Sequence, residues 1–330
     1  MRRLALWFGA PALLALAAAA VLLWGYVEFT KPGPLAQSGA FVIAKGLSVE
    51  GIARRLAELG VIRDPRIFVI GVHILRGRHA LRAGEYEFPA HASAEEAMDI
   101  LIYAKPVVRH LTIVEGLTSA EAMAEIERSP GLEGPIKGSP AEGELLPETY
   151  NYSWGDSREA MVRRAEKAMS ETLDELWRTR AADAALTSPQ QALVLASIVE
   201  KETAKPEERP HIAAVFLNRL RRQMRLQSDP TVVYALTHGE GPLGRALTHA
   251  DLETASPYNT YLVDGLPPTP IDNPGKASIA AVLHPAASDD LYFVADGSGG
   301  HLFAKTLAEH NRNVTKLRQL QGGAAAHKAE

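Results

Sequence analysis

The stretch "LASIVEKETA", Leu195 to Ala204, decides the fold of the larger part of this chain, because it closes an apolar helix with two glutamates. With about 3.6 residues per turn, positions i, i+3, i+4 and i+7 form one stripe of a helix. That stripe contains Leu195, Ile198, Val199 and Glu202. Glu200 lies on the opposite side of the helix. The spacing predicts that Glu202 continues the buried face and that Glu200 is solvated or supports the site from behind.

A carboxyl group held against apolar surface is disfavoured as an anion, so it keeps its proton near neutral pH and can act as a general acid. Glu202 is therefore the candidate catalytic residue. The alternative is that Glu202 only extends to solvent from the last turn before Pro206. Ser188 and Pro189 mark the start of this helix, with serine as the cap and proline at the first helical position.

Composition restricts the function further. The chain has 330 residues, of which 46% are hydrophobic and 22% are charged, which is typical of globular proteins. A net charge of -4 gives no electrostatic reason to expect a nucleic-acid partner. The absence of cysteine excludes disulfides, thiolate zinc sites, cysteine nucleophiles and a lipidated cysteine anchor.

The N-terminus predicts a membrane anchor. Arg2 and Arg3 precede an uncharged, mostly apolar run from Leu4 to Val27, which as a helix would span roughly 36 Å, enough for a bilayer core of about 30 Å. Trp24 and Tyr26 suit the far interface, and the paired arginines favour a cytoplasmic N-terminus. A cleaved signal peptide is the alternative, although the run is long for one. The remaining residues are expected outside the plasma membrane.

A weak repeat follows the linker at residues 30–39. "FVIAKGLSVEGIARRL", "YEFPAHASAEEAMDIL" and "LTIVEGLTSAEAMAEI" each predict a strand and then a capped helix. Ser93 with Glu96, and Thr118 with Glu121, have the spacing of a capping box, whereas Ser48 is predicted to cap alone. Units this small resemble carbohydrate-binding LysM-type modules. A spacer with a small core is the other interpretation.

From about Ser157 the pattern is mainly helical, and one long loop and a hairpin interrupt it. The loop "SPYNTYLVDGLPPTPIDNPG" is rich in Tyr, Asn and Pro, and ordered loops of this length usually carry function. Tyr258, Asn259 and Tyr261 could stack on sugars and bind hydroxyls, although turn chemistry also explains Asn259. Before the loop, Asp229 is expected to cap a helix. "LYFVADGSGGHLFA" predicts a β-hairpin.

Several other short motifs resemble functional sites, but the surrounding sequence or the spacing does not fit those functions. "GEGPLG" matches a dinucleotide fingerprint in letters only, because no strand precedes it and a proline interrupts it. The histidines do not have the H-E-x-x-H spacing of metalloproteases. "GSGG" does not match the G-x-S-x-G nucleophile elbow. Ser197 and Lys201 are four residues apart, whereas the S-x-x-K motif requires three. The sequence gives no support for serine-hydrolase chemistry or a catalytic metal.

Five ordered motifs behind the apolar helix carry a family resemblance. These are "LASIVEKET", "FLNRL", "MRLQSDPTVVYAL", "DLETASPYNTYLVDGLPPTPIDNPG" and "LYFVADGSGGHLFAKTLAEHN". Together they resemble the endolytic murein transglycosylase family, also called YceG-like or MltG, over about residues 41–320. One departure lies in "EGELLPETYNY", where Leu146 and Glu148 replace an aromatic residue and an aspartate, so a substrate role for Glu148 is in doubt.

The resemblance implies an α+β architecture in five parts. Residues 1–29 would form the cytoplasmic N-terminus and transmembrane helix, and 30–39 the linker. Residues 40–105 would form a small LysM-like α+β subdomain. Residues 106–320 would form a mainly helical, lysozyme-like lytic transglycosylase domain with a β-hairpin, followed by a disordered tail at 321–330.

The resemblance also implies a reaction. Glu202, followed by Thr203, would protonate the bond between N-acetylmuramic acid and N-acetylglucosamine, and then deprotonate the muramyl 6-hydroxyl, which closes on C1. No metal or organic cofactor is expected. Residues expected along the glycan groove are Gln227, Asp229, Tyr258, Asn259 and Tyr261. The expected partners are peptidoglycan strands and the plasma membrane, with peptidoglycan synthases as candidates. A hydrolytic muramidase and a non-catalytic glycan-binding scaffold are the alternatives.

Overall fold

The computed structural model describes residues 2–75, 80–181 and 186–327, with side chains from residue 12 to residue 319 outside the two gaps. The described chain divides into two compact units. The first unit comprises residues 1–109, 130–133 and 151–156, and the second comprises 110–129, 134–150 and 157–330. The predicted segment 40–105 lies entirely within the first unit.

In its described residues up to Arg109, the first unit is built on two paired strands and four helices. Its elements are α1 (Arg2–Thr30), β1 (Gly39–Ile43), α2 (Val49–Glu58), α3 (Pro65–Leu75), β2 (Gly84–Phe88) and α4 (Ala94–Tyr103). β1 and β2 are antiparallel, with Gly39 opposite Phe88. Their inward side chains join those of the helices in one core, of which Leu56, Phe68, Phe88 and Leu101 are each fully buried.

Helix starts in this unit follow the sequence prediction. Ser48 caps α2 by accepting a hydrogen bond from Gly51 N. Ser93 and Glu96 form a reciprocal capping box at α4. A cap of this kind contributes about 1 kcal/mol, because it satisfies backbone N–H groups that have no partner within the helix.

Helix α1 is the described helix that is long and apolar enough to cross a membrane, over Ala12–Thr30. Its side chains from Leu13 to Val27 are largely exposed in the isolated chain. Phe29, near its end, is buried in the core of the first unit.

The second unit is mainly helical. After α4 the chain forms short strands β3 (Arg109–Thr112), β4 (Leu132–Glu133), β5 (Thr149–Tyr152) and β6 (Asp156–Ser157), with β3 paired to β5 and β4 paired to β6. The helices are α5 (Ser119–Arg128), α6 (Arg158–Arg178), α7 (Pro189–Glu202), α8 (Arg209–Arg221), α9 (Asp229–Thr237), α10 (His249–Leu252), α11 (Lys276–Leu283) and α12 (Leu307–His327). A 3-10 turn covers Pro206–Glu208, and strands β7 (Tyr292–Ala295) and β8 (His301–Ala304) pair antiparallel.

Helix α7 lies at the centre of the second unit. Every residue from Ala192 to Val199 is buried, because α6, α8, α9 and α11 pack around the helix. Its N-terminus has the predicted serine cap, with Ser188 Oγ accepting from Gln191 N and Pro189 in the first turn. A helix that is buried on all sides leaves no solvated face. This changes the expectation for Glu200.

The C-terminal helix α12 continues to His327, into the segment 321–330 for which the sequence predicts disorder. Residues 328–330 lie outside the described residues.

Candidate active site

Glu202 is the last residue of α7, and the residue is partly buried. Ser228 Oγ donates a hydrogen bond of 2.5 Å to its Oε1. Burial raises the pKa of Glu202 to about 7; the Ser228 hydrogen bond opposes this rise and the charge of Asp229 adds to it. Arg219 and His301 lower this pKa through their charges. Glu202 can therefore both give and take a proton near neutral pH.

Ser228 is held in place from the long loop. The residue is 2% exposed, and its backbone N–H donates to Thr260 Oγ1 at 3.0 Å. Thr260 Oγ1 also lies 2.8 Å from Thr231 Oγ1 on α9. Because these hydroxyls are buried and mutually bonded, the position of Ser228, and with it that of Glu202 Oε1, is fixed by contacts between α9 and the loop.

The prediction that Asp229 caps α9 is wrong. Ser228 occupies the cap position and makes no side-chain capping bond, since its hydroxyl is committed to Glu202. Asp229 is instead the first helical residue, exposed, and accepts a hydrogen bond of 2.6 Å from the Tyr261 hydroxyl. Burial raises the pKa of Tyr261, and the charges of Asp229 and Glu202 add to the effect, so Tyr261 remains a neutral donor. Asp229 and Tyr261 thus lie beside Glu202.

Gln227 and Tyr258 have side chains that solvent reaches. Gln227 is exposed with φ 51°, and its Oε1 lies 3.5 Å from Arg219 Nη1. The ring of Tyr258 lies 4.8 Å from that of Tyr234, and its hydroxyl is 2.7 Å from Thr269 Oγ1.

Asn259 differs from its predicted role, because it is 0% exposed. Its Nδ2 donates to the carbonyls of Leu252 and Thr254, and its Oδ1 accepts from Tyr261 N at 3.0 Å. With its polar atoms committed to backbone, Asn259 shapes the loop that presents Tyr261. Turn chemistry, the alternative that the sequence left open, accounts for it.

Arg219 was not predicted from the sequence. Its Nε donates to Leu291 O at 2.6 Å and its Nη1 to Leu226 O at 2.7 Å, and the residue is 8% exposed. Burial lowers the pKa of Arg219, while the charge of Glu202 raises it. A guanidinium keeps its charge in proteins. A fixed positive charge therefore acts on Glu202 from the interior of the unit.

A second unpredicted group connects the residue after Glu202 to the hairpin. Glu208 accepts hydrogen bonds from His301 N at 3.0 Å, from His301 Nδ1 at 2.7 Å and from Thr203 Oγ1 at 3.2 Å. Burial opposes ionisation, but the hydrogen bonds from His301 and Thr203 lower the pKa of Glu208. The Glu208 carboxylate thus links Thr203 to strand β8.

The expectation that Glu200 is solvated is wrong. Its side chain is only 5% exposed, and Oε1 lies 2.9 Å from Arg209 Nη2. Its Oε2 accepts from Gly275 N at 2.9 Å. Arg209 also lies 3.1 Å from Glu115 Oε2. Glu200 therefore supports the site from behind by tying α7 to α8 and to the end of the long loop, which is the other role the sequence allowed.

The buried Asp272 lies near Glu200, and the partly buried Glu142 lies near Asp272; neither was predicted. Asp272 is 0% exposed and neither carboxyl oxygen has a hydrogen-bond partner; burial raises its pKa well above the usual range. Burial also raises the pKa of Glu142 to about 7, against a hydrogen bond of 2.8 Å from Ser119 N. Glu148, by contrast, is exposed.

A cavity of about 820 Å³ elsewhere in the second unit contains a Ser–His–Asp group. His211 Nε2 lies 3.1 Å from Ser288 Oγ and 2.8 Å from Asp290 Oδ2. In a nucleophilic triad, serine and aspartate contact different ring nitrogens. Here both contact the same nitrogen, so the group is not a hydrolase triad.

The sequence profile described as the YceG-like family matches residues 41–316. A Bacillus subtilis protein named endolytic murein transglycosylase is 39% identical over 182 residues, which are 54% of this chain and 48% of that protein. A Streptococcus pneumoniae protein of the same name is 30% identical over 322 residues, covering 83% of this chain and 57% of that protein. The chain therefore spans about half the length of these relatives.

A crystal structure of a YceG-like protein from Listeria monocytogenes is also similar. The alignment has a TM-score of 0.53 at 32% identity and covers 84% of this chain and 98% of that chain.

Proposed function

The chain belongs to the YceG-like family, and we propose that it is a peptidoglycan lytic transglycosylase with Glu202 as its catalytic acid and base. The observation that carries the proposal is the carboxyl group of Glu202, whose pKa burial raises to about 7 and whose Oε1 is held by Ser228. The relatives named endolytic murein transglycosylase support the choice of substrate.

In the proposed first step, Glu202 donates its proton to the glycosidic oxygen between N-acetylmuramic acid and N-acetylglucosamine. Since Oε1 accepts from Ser228, we assign the proton transfer to Oε2. The bond from the muramyl C1 to that oxygen breaks, and the N-acetylglucosamine end leaves as an alcohol. Glu202 becomes an anion, which the positive charge of Arg219 stabilises.

In the second step, the Glu202 carboxylate takes the proton of the muramyl 6-hydroxyl, whose oxygen bonds to C1 and forms a 1,6-anhydro ring. The proton returns to Glu202, so the enzyme is restored and no water is consumed. Most glycosidases need a second carboxylate as nucleophile or base. Here an internal hydroxyl of the substrate replaces that group, which classifies the enzyme as a carbon–oxygen lyase.

Four exposed or partly exposed side chains are proposed to line the glycan groove: Gln227, Asp229, Tyr258 and Tyr261. Aromatic rings suit the apolar faces of sugars, and the Asp229–Tyr261 pair offers a donor and an acceptor for hydroxyl or acetamido groups. Asn259 acts indirectly, through its hydrogen bond to Tyr261 N.

We further propose that α1 anchors the protein in the plasma membrane, with Arg2 and Arg3 on the cytoplasmic side and both units outside. Residues 40–105 would be a LysM-like subdomain and residues 106–320 the catalytic domain. Peptidoglycan synthases are the proposed protein partners. The test is a reporter that is active only in the cytoplasm, fused after Glu330. Activity of this fusion would contradict the proposed topology.

The test of the reaction compares Glu202→Gln with Glu207→Gln. Glutamine keeps the volume of the side chain but cannot transfer the proton, and general acid–base catalysis is worth about 10²–10⁴-fold in rate. Release of 1,6-anhydromuramyl ends from purified peptidoglycan, measured by mass spectrometry, should fall by at least that factor in Glu202→Gln. Glu207 is exposed on the neighbouring 3-10 turn, so Glu207→Gln should keep full activity.

The products also decide between the proposal and its alternatives. Reducing muramic acid ends would identify a hydrolytic muramidase that uses Glu202 with water. No cleavage by the folded wild-type protein, with glycan still bound, would identify a scaffold.

A further inference from the structure

Helix α3 presents an apolar face that the first unit does not cover. Ile70, Ile74 and Leu75 are 55%, 63% and 50% exposed, respectively. Single exposed apolar residues are common on soluble proteins, but adjoining ones mark an interaction surface. The opposite face of α3, with Phe68 and Val72, is packed into the core. Helix α3 is therefore apolar on both faces.

A close approach of α3 to α1 occurs at Gly71 and Phe29. Phe29 of α1 is 3% exposed, and a Cβ atom on Gly71 of α3 would lie 2.2 Å from its Cε2. Only glycine permits this approach. The two helices consequently meet at the end of α1, within one compact unit.

The exposed face of α3 continues onto the exposed face of α1. A groove of about 250 Å³ runs between the two helices. Its lining residues include Leu22, Trp24 and Tyr26 from α1, and Ile70, Ile74 and Leu75 from α3. If α1 spans the membrane, Leu22 lies in the bilayer and Trp24 and Tyr26 lie at its outer interface. The α3 residues that line this groove lie beside the same stretch of α1.

We propose that α3 is a second membrane-contacting element, whose exposed face is covered by lipids of the outer leaflet. The proposal rests on the membrane anchoring of α1 proposed above. Charge supports the bilayer as the occupant, because α3 contains no acidic residue and the exposed Arg63 and Arg66 lie at its N-terminal end. The carboxylate of Asp64, which lies between them, accepts a hydrogen bond from Arg66 N. Arginines at the edge of an apolar surface suit anionic lipid headgroups. The first unit would then rest on the membrane rather than extend from it on a free linker.

The absence of cysteine allows a direct test on the full-length protein. A single cysteine introduced as Ile74→Cys carries a nitrobenzoxadiazole fluorophore, and the protein is reconstituted into vesicles of phosphatidylcholine and phosphatidylglycerol. Trp24→Cys, within the proposed span, is the positive control. Glu58→Cys on α2, where the native side chain is 65% exposed, is the control for aqueous exposure.

Nitroxide-labelled phosphatidylcholine should quench the fluorophore at position 74 by at least half as much as at position 24, and leave position 58 unquenched. Iodide in the buffer is the quencher for aqueous exposure. Lipid quenching at position 24 together with iodide quenching at position 74 would overturn the proposal but leave the anchor in place. Protection of position 74 from both quenchers would assign the face to a second copy or another protein, and would also overturn it. Lack of lipid quenching at position 24 would remove the premise, and with it the proposal. None of these outcomes depends on glycan cleavage, which is assayed separately.

Discussion

Two substitutions beside Glu202 should move the pH dependence of glycan cleavage in opposite directions. The pKa of Glu202 is raised, so the protonated form that we propose starts the reaction is present below about pH 7 and is lost as pH rises through that value. Ser228→Ala removes a donor that stabilises the carboxylate, so it should raise this pKa. Asp229→Asn removes a like charge that disfavours the carboxylate, so it should lower it.

The expected shifts of the alkaline limb are smaller than the total rise in the pKa of Glu202. A glutamate with the usual pKa of 4.5 would be protonated in about one molecule in 300 at pH 7, whereas about half of Glu202 is protonated there. That difference corresponds to about 3 kcal/mol, mostly from burial. A hydrogen bond to a charged group contributes about 1.5 kcal/mol, so Ser228→Ala should shift the alkaline limb upward by about one pH unit. Asp229 is exposed, so Asp229→Asn should shift the alkaline limb by less than Ser228→Ala does.

The assay is kcat/KM for release of 1,6-anhydromuramyl ends between about pH 5 and 9. Ser157→Ala removes the cap of α6 and is the control; its alkaline limb should not move. The reasoning would be refuted if Ser228→Ala and Asp229→Asn moved the limb in the same direction, or if neither moved it while both proteins stayed folded.

Three further variants test the supporting structure. Arg209→Ala leaves the buried Glu200 carboxylate without its cation and should destabilise the fold by about 3–5 kcal/mol, seen as a lower urea midpoint; an unchanged midpoint would contradict the role of this pair. Glu208→Gln weakens the link between the hairpin and the residue after Glu202, and should lower kcat by about 10-fold with little change in KM; unchanged kcat would show that the link is not needed. Gly71→Ala places a methyl group on Phe29 and should cost about 1–3 kcal/mol in thermal unfolding, and an unchanged Tm would mean that α1 shifts freely.

Local signals in the sequence predicted the helix starts well. Ser93 with Glu96 and Thr118 with Glu121 form the predicted capping boxes, and Ser188 caps α7. Each involves residues three positions apart, so the interaction is decided within one turn of chain. The apolar stripe that contains Glu202 could be predicted in the same way.

The predictions that failed involve distant residues. Of the two roles expected for Glu200, solvation and support of the site, solvation is wrong, because Arg209 and the backbone of Gly275 cover the outer face that a helix considered alone would have. Asp229 was expected as a cap because no local pattern indicates that Ser228 faces Glu202, 26 positions earlier. Arg219 shows no signal in the sequence that would separate it from neighbouring basic residues.

Glu202 is the last residue of α7, which places the proposed catalytic carboxyl group at the carbonyl end of a buried helix. The aligned peptide dipoles give such an end about half a negative charge. This field disfavours the Glu202 anion and favours positive charge nearby, such as the oxocarbenium-like charge on a sugar ring during glycosidic cleavage. Unlike the carboxyl group, the dipole does not titrate and is not removed in Glu202→Gln. Any cleavage that this variant retains, independent of pH, would measure how far the backbone of α7 itself stabilises the transition state.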